Sequence, residues 1–387
     1  MGYVQHQGGH TMIFKASYEK MERCLSIAKS ITSTKQQMSI LTNILLESEK
    51  DRIIVTATDL EVGIRSSFEA IIDEQGSTTI NGSKLLSVIL QFPREDIQVE
   101  VDQNNDFKIR SHNSKIKAQF TLRGLSRESF PEFPIPSDDL PSFTLPQAVL
   151  KEMIKKTLFA ISTETSRQYL NGVYFESVYS ESGEGILRLV STDGRRLALI
   201  DRPCTFTEGT SIGKIVPQKV LTELAHTLNN EGVVTIAFSH NQIFFSFDTI
   251  VYTSNTIDGN FPNYNQVIPK KQEKVLRVGR ESFINALNMS SLLTDEKQNN
   301  QVRFAFAPDH AVVSVTNLDA GSYHDEIHVE YEGEPIEIAF NIKYLKDYLK
   351  EVISETVKIE MNTPLSPVTM HIDDDKSYIY VIMPMRV

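Results

Sequence analysis

The chain repeats one pattern three times, and that constrains its fold more than any single residue does. A helical phrase opens at Phe14, Phe143 and Leu276, each followed seven residues later by a second apolar anchor, Met21, Leu150 and Phe283. A Thr-Asp or Thr-Asn pair comes next in every copy: Thr58-Asp59, Thr192-Asp193 and Thr316-Asn317. Last comes an apolar strand running into a helix with a lysine in its first turn: Ile80 to Leu90 around Lys84, Ile215 to Ala225 around Lys219, Ala339 to Leu349 around Lys343. Self-similarity at a fixed period sets architecture. The copies start 129 and 133 residues apart, so the unit is a domain with its own core rather than one turn of a solenoid.

Between the helical phrases the apolar pattern has period two, as in Ile53, Val55 and Ala57 or Val234, Ile236 and Phe238, punctuated by turns such as Gln103 to Asp106. Each copy therefore reads as two amphipathic helices and roughly eight short antiparallel strands, the α+β class. Proline-rich connectors (Pro131 to Pro141, Ile268 to Gln272) cannot continue a helix or a central strand. They bound three domains at residues 12–136, 143–268 and 276–387, with residues 1–11 as an N-terminal extension or tag. A sheet-rich module must hide or pair its free edges. Pairing the edge of one module with the next makes an array, and continuing head to tail between identical chains gives a ring if the rotation closes.

No apolar run is long enough to span a bilayer, and Met1 to Met12 lack the basic start and apolar core of a signal peptide. A cytoplasmic protein is expected, with no membrane partner. Cys24 and Cys204 are too few for a disulfide framework or a metal cage, and both are expected to be free thiols. The net charge of −11 by itself argues against nucleic acid. Its distribution argues the other way: the helical segments 15–35, 83–92, 147–160, 214–224, 276–288 and 341–351 hold 16 Lys/Arg against 7 Asp/Glu. A surface of one sign attracts a polyanion even when the total does not.

Motifs of chemistry fail their tests. Gly209 to Lys214 is one residue short of a phosphate loop, and Ile215 replaces its Ser or Thr. His324 and His328 have zinc-pair spacing, but in a strand with Ile327, Val329 and Tyr331 they stand about 13 Å apart. Asp373 to Asp375 read as a solvated hairpin tip, and Asp59 and Asp193 as carboxylates bonded to neighbouring backbone amides. No nucleophile elbow, Ser/His/Asp grouping or dinucleotide turn is present. A triplicated enzyme using its basic helices for an anionic substrate would concentrate unusual residues in one copy, whereas here the basic marker recurs in all three. A secreted surface-binding module would need an export signal.

Four stretches are more specific: Arg167-Gln168-Tyr169-Leu170-Asn171-Gly172-Val173-Tyr174-Phe175-Glu176, Ser191-Thr192-Asp193-Gly194-Arg195-Arg196-Leu197-Ala198, Ile257-Asp258-Gly259-Asn260-Phe261-Pro262-Asn263-Tyr264 and Tyr380 to Val387. With Phe143-Thr144-Leu145-Pro146, they closely resemble the family of bacterial DNA polymerase III beta subunits, the sliding clamps, from Met12 to Val387. The resemblance implies three clamp domains per chain and two chains in a head-to-tail ring, helices inside, around duplex DNA bound without sequence specificity. It implies processivity, with no catalysis, cofactor or metal. The implied partners are the replicative polymerase alpha subunit, the clamp loader, and other polymerases and repair proteins, all docking through a short linear motif that inserts a Leu and a Phe; the protein would be nucleoid-associated.

Carried over position by position, the motif groove comprises Leu170, Thr192, Gly194, Arg195, Arg196, Leu197, Pro262, Gln266, Val267, Thr369, Val381, Ile382, Met383, Pro384, Met385 and Arg386. Gln266 stands where relatives often have Arg, and Val387 where they usually end in Leu. The implied DNA-contacting set is Lys35, Lys84, Arg167, Tyr169, Lys219 and Lys343, with Gln168 replacing a frequent aromatic.

Overall fold

The computed structural model describes residues 11–32, 39–112, 118–206, 211–295, 300–373 and 375–386. The first repeat runs β1 (Met12–Ser17), α1 (Tyr18–Ile31), β2 (Asn43–Glu49), β3 (Arg52–Thr58), β4 (Val62–Glu69), β5 (Ile71–Glu74), β6 (Ser77–Asn81), α2 (Gly82–Ile89), β7 (Asp96–Val101), β8 (Asp106–Ser111) and β9 (Gln119–Leu125). The second runs β10 (Ser142–Pro146), α3 (Gln147–Leu158), β11 (Gly172–Tyr179), β12 (Gly185–Thr192), β13 (Arg196–Pro203), β14 (Gly213–Pro217), α4 (Gln218–Thr227), β15 (Val233–Phe238), β16 (Gln242–Phe247) and β17 (Ile250–Asn255). The third runs β18 (Lys274–Gly279), α5 (Arg280–Ser290), β19 (Gln301–Phe306), β20 (His310–Asn317), β21 (Gly321–Glu332), β22 (Ile336–Asn341), α6 (Ile342–Glu351), β23 (Thr356–Met361), β24 (Val368–Ile372) and β25 (Asp375–Ile382). Two helices per repeat match the sequence pattern. None of the helices among the described residues is long and apolar enough to cross a membrane.

The repeat openings are strands, not helical phrases. Phe14, Phe143 and Leu276 lie in β1, β10 and β18, and burial alternates along β1 and β10 before the helix begins. The apolar spacing could serve either period over five residues; the sheet wins because each opening pairs with a strand from late in its own repeat, β7, β15 or β23. The helical anchors stand as read, since Met21, Leu150 and Phe283 are buried. Truncating such a side chain to alanine costs about 2–5 kcal/mol. In α1 the buried stripe Met21, Cys24, Leu25, Ala28 and Ile31 keeps helical spacing against the sheet. Because the helices are shorter than the spacing suggests, Lys15, Lys214 and Arg277 fall outside them, and Lys35 lies outside the described residues. The six helices then carry 12 Lys/Arg against 7 Asp/Glu, a smaller basic excess than expected.

Contacts divide the chain into two compact units, Met1–Gln147 with His226–Asn255, and Ala148–Ala225 with Thr256–Val387. The middle repeat contributes to both, and strand pairing explains why. In the first unit a 13-stranded sheet joins β17 to β4, with Thr253 opposite Gly63. In the second a 12-stranded sheet joins β25 to β13, with Val381 opposite Leu197. Edge pairing across repeats, anticipated from the need to cover free strands, thus recurs in one register.

The Thr-Asx turns behave as read. Asp59 Oδ1 accepts from the amides of Glu61 and Val62, Asp193 Oδ1 from those of Arg195 and Arg196, and Asn317 Oδ1 from those of Asp319 and Ala320. Asp375 departs from the expectation of a solvated tip. Its carboxylate accepts from Arg202 Nη2 at 2.7 Å, Lys156 Nζ at 3.2 Å and the Ser377 amide at 3.1 Å, tying β25 to β13 and α3. Asp373 does sit exposed, 3.4 Å from Arg277 Nε; Asp374 lies outside the described residues. Cys24 and Cys204 are both free and buried.

Candidate functional site

The β13–β25 junction builds a groove in the second unit. Leu197 and Val381 face each other across the ladder and join Val190, Leu199 and Tyr264 in one buried cluster, with Tyr174, Phe261, Ile268 and Ile379 packed against it. Tyr264 enters from the connector after β17. Its hydroxyl donates to Glu176 and accepts from Arg188 Nη1 at 3.3 Å, and burial pushes that hydroxyl up to about 12. Phe261 stacks on Tyr174 with centroids 4.9 Å apart and planes 4° from parallel. This aromatic brace fixes the connector that carries Pro262, Gln266 and Val267, all three exposed.

The turn between β12 and β13 forms the next wall. Thr192 Oγ1 donates to the Arg196 carbonyl at 2.6 Å and accepts from the Gly194 amide at 3.0 Å. Gly194 has φ +85°, a conformation that side chains resist. The turn leaves the Arg195 side chain exposed and hands its carbonyl to the Met383 amide at 2.9 Å. Beyond β25 the tail continues into a bridge, the Met385 amide donating to the Ala339 carbonyl at 2.7 Å. Between turn and tail lies an open cavity of about 370 Å³, lined by Arg195, Asn341, Tyr344, Met383, Pro384, Met385 and Arg386. Methionine walls adapt to differently shaped apolar side chains, and Arg195, Asn341, Tyr344 and Arg386 around them offer polar partners to a short peptide.

The structure thus brings Arg195, Met383, Pro384, Met385 and Arg386 to one cavity, and Leu197 and Val381 to a buried cluster of the same unit. Leu170 is buried at the end of the turn Gln168–Leu170 and, like Pro262, Gln266 and Val267, does not line that cavity. Three residues carried over from the resemblance have inward duties. Arg196 donates to Asp193 Oδ2 at 3.1 Å, Asp347 Oδ2 at 2.6 Å and the Phe159 carbonyl at 2.6 Å, and lies 4.3 Å over the Tyr344 ring. It positions Tyr344 rather than presenting a charge. Thr369 is buried with its hydroxyl donated to Gln272, and Ile382 is buried opposite Arg196. Asn341 and Tyr344 were not found by sequence reasoning. The available signal was their place beside Lys343, where the Asn341 side chain also caps α6 by accepting from the Lys343 amide at 2.9 Å.

Of the basic set, Lys84 and Lys343 occupy matching first turns, each amide capped by the asparagine before its helix, Asn81 or Asn341. Lys219 is the second residue of α4. Arg167 is half-exposed and pairs with Glu164 at 3.6 Å, and Tyr169 keeps 37% of its surface exposed. Such exposed cations suit phosphate contacts rather than base reading. Lys35 lies outside the described residues.

Comparison with known proteins gives the family. The models of the DNA polymerase III beta subunit match in all three parts: the N-terminal domain at residues 12–134, the central domain at 144–263 and the C-terminal domain at 265–386. The chain is 34% identical over 373 residues to the beta sliding clamp of Caulobacter vibrioides, covering 94% of this chain and 97% of the relative. It is 32% identical over 377 residues to that of Treponema pallidum, covering 94% and 96%. The DnaN sliding clamp of Bartonella birtlesii, solved bound to griselimycin, superposes with a TM-score of 0.92 at 31% identity, covering 98% of this chain and all of that one. The C. crescentus beta sliding clamp, solved with PEG at a putative beta-motif tethering region, gives 0.90 at 32% identity, with the same coverage. The chain belongs to the bacterial DNA polymerase III beta subunit family. It is a DNA sliding clamp, a processivity factor in DNA replication and not an enzyme.

Proposed function

We propose that two copies close head to tail around duplex DNA, in the cytoplasm at the nucleoid, with clamp domains at residues 12–136, 143–268 and 276–387. The observation that carries this reading is the recurring edge pairing. In both junctions within the chain, the last strand of one repeat pairs with the fourth strand of the repeat before it, β17 with β4 and β25 with β13. Two such edges are left over. Among the described residues, 119–123 of β9 are paired only on the β8 side, and 321–328 of β21 only on the β20 side. Phe120 occupies the place of Thr253 and Val381, each four residues before the strand's link to Ile80, Ile215 or Ala339. Ser322, opposite Thr316, occupies the place of Gly63 and Leu197. The repeat rule therefore sets Phe120 of one copy opposite Ser322 of the other, and a heterologous contact used twice closes a ring.

A chain carrying both Phe120→Cys and Ser322→Cys tests closure. Oxidation should give covalent dimers and nothing larger on a non-reducing gel. A ladder of higher species would mean an open fibre, and absence of cross-linking would contradict the pairing. On the closed ring, Lys35, Lys84, Arg167, Tyr169, Lys219 and Lys343 contact DNA phosphates without base readout. The groove, completed by Leu170, Thr192, Gly194, Pro262, Gln266 and Val267, takes the Leu and Phe of a linear motif. The replicative polymerase alpha subunit, the clamp loader and other polymerases and repair proteins share it in turn.

A further inference from the structure

The first unit holds an open cavity of about 440 Å³ that the reading above does not use. Helix α1 supplies Lys20, Arg23, Cys24 and Ile27; β4 supplies Ser66 to Glu69; and the turn leading into β17 supplies Asp248 to Ile250. Ile27, Phe68 and Ile250 make the floor apolar, while the charges stand at the mouth. The wall holds three cations, Lys20, Arg23 and Arg52, against two acids, Glu69 and Asp248. Glu69 is bound by Lys20, Arg52 lies 3.5 Å from Asp51, and Asp248 accepts from Gln147 at 3.4 Å and Asn229 at 3.3 Å. Arg23 alone among the wall's cations makes no ion pair with any described residue.

We propose that this cavity binds a small amphipathic organic anion, an arylalkyl monocarboxylate in chemical class, its carboxylate on Arg23 and its ring on Ile27, Phe68 and Ile250. The volume falls within the roughly 300–1,000 Å³ of small-molecule sites, and an apolar floor with a few polar groups around it is their usual composition. A guanidinium matches a carboxylate bidentately. The thiol does not oppose the anion: Cys24 shares a hydrogen bond with Ser66 Oγ at 2.8 Å, and burial pushes it up to about 12, so it stays neutral. Since the walls come from the first and second repeats, an occupant would also bridge β4 and β17 at their junction.

The test is methyl NMR of isoleucine-labelled full-length protein titrated with 3-phenylpropionate, against 3-phenylpropanol as the neutral counterpart. The expected result is saturable shifts at Ile27 and Ile250, with affinity falling about tenfold for Arg23→Gln and about tenfold for the alcohol. Arg23 is exposed, so the variant leaves the core untouched. Equal affinity for acid and alcohol, indifference to Arg23→Gln, or no saturable shift would each overturn the proposal. The groove peptide binds in the second unit, so its affinity reports separately on the reading of that site.

Discussion

Asp375→Asn is the sharpest test of what holds the groove strand in place. Burial alone would raise the Asp375 carboxyl, but the Arg202 guanidinium, the Ser377 hydrogen bond and the Lys156 charge outweigh it and hold the group at about 2, against an ordinary 3.8. A depression of nearly two units corresponds to about 2 kcal/mol of folding stability at neutral pH. The loss is compounded because Lys156 and Arg202, only 10% and 17% exposed, would be left with Glu152 as their shared acid. The variant should therefore lose about 2–3 kcal/mol at pH 7, less than a fully buried broken pair because the cluster is partly solvated. For a unit of this size that is a fall of roughly 4–10 °C in melting temperature. The sign with pH follows from the depressed carboxyl: its contribution is complete above about 4 and disappears as the pH drops toward 2. Thermal melts of both proteins from pH 7 down to 3 should draw together, with about half of the gap left at pH 3. A gap that stays constant with pH, or no gap at pH 7, would refute the assignment of this network as an electrostatic clamp.

Gly194→Ala should destabilise by about 1–2 kcal/mol, since φ is +85° and the new Cβ would lie 3.3 Å from Arg167 Nη1; a thermal melt measures this, and anisotropy should show weaker peptide binding because the Arg195 wall shifts. Deleting residues 383–387 removes the cavity's methionines, so a Gln-Leu-x-Leu-Phe peptide, expected to bind wild type near the micromolar range, about −8 kcal/mol, should no longer bind while the cysteine-linked dimer still forms. Unchanged peptide affinity would mean the partner site lies elsewhere. Combining Lys84→Ala, Lys219→Ala and Lys343→Ala should weaken retention on circular DNA and reduce the salt slope by roughly one unit per lost phosphate contact, read by filter binding at several salt concentrations.

Triplication and the Thr-Asx turns were legible because both rest on local chemistry, a turn amide satisfied within three residues or an apolar stripe with one period. The strand openings were not, since Phe14 and Phe143 reach their partners Val99 and Ile236 some ninety residues away, and five residues cannot declare a period. The groove was half legible. Arg195 and the tail methionines carry motif signals, but nothing local separates Met383 and Met385, which line the cavity, from Val381 and Ile382, which are buried. Arg196 shows the same limit, its charge consumed by Asp193 and Asp347, and the second of these lies 151 residues away.

The register shared by the two junctions also sets valency. At β4, the place of Leu197 is held by Gly63, and a side chain there would meet the Phe133 ring at 2.8 Å and Thr253 at 3.0 Å. The connector's own aromatic already occupies that volume. Facing it, Thr253 presents its Cγ2 methyl, so the first junction is filled at this point. At this register position the first junction thus has no counterpart of the groove at the second. Enlarging Gly63 would displace Phe133 rather than create a second peptide berth, so a ring of two chains would present one peptide groove per chain.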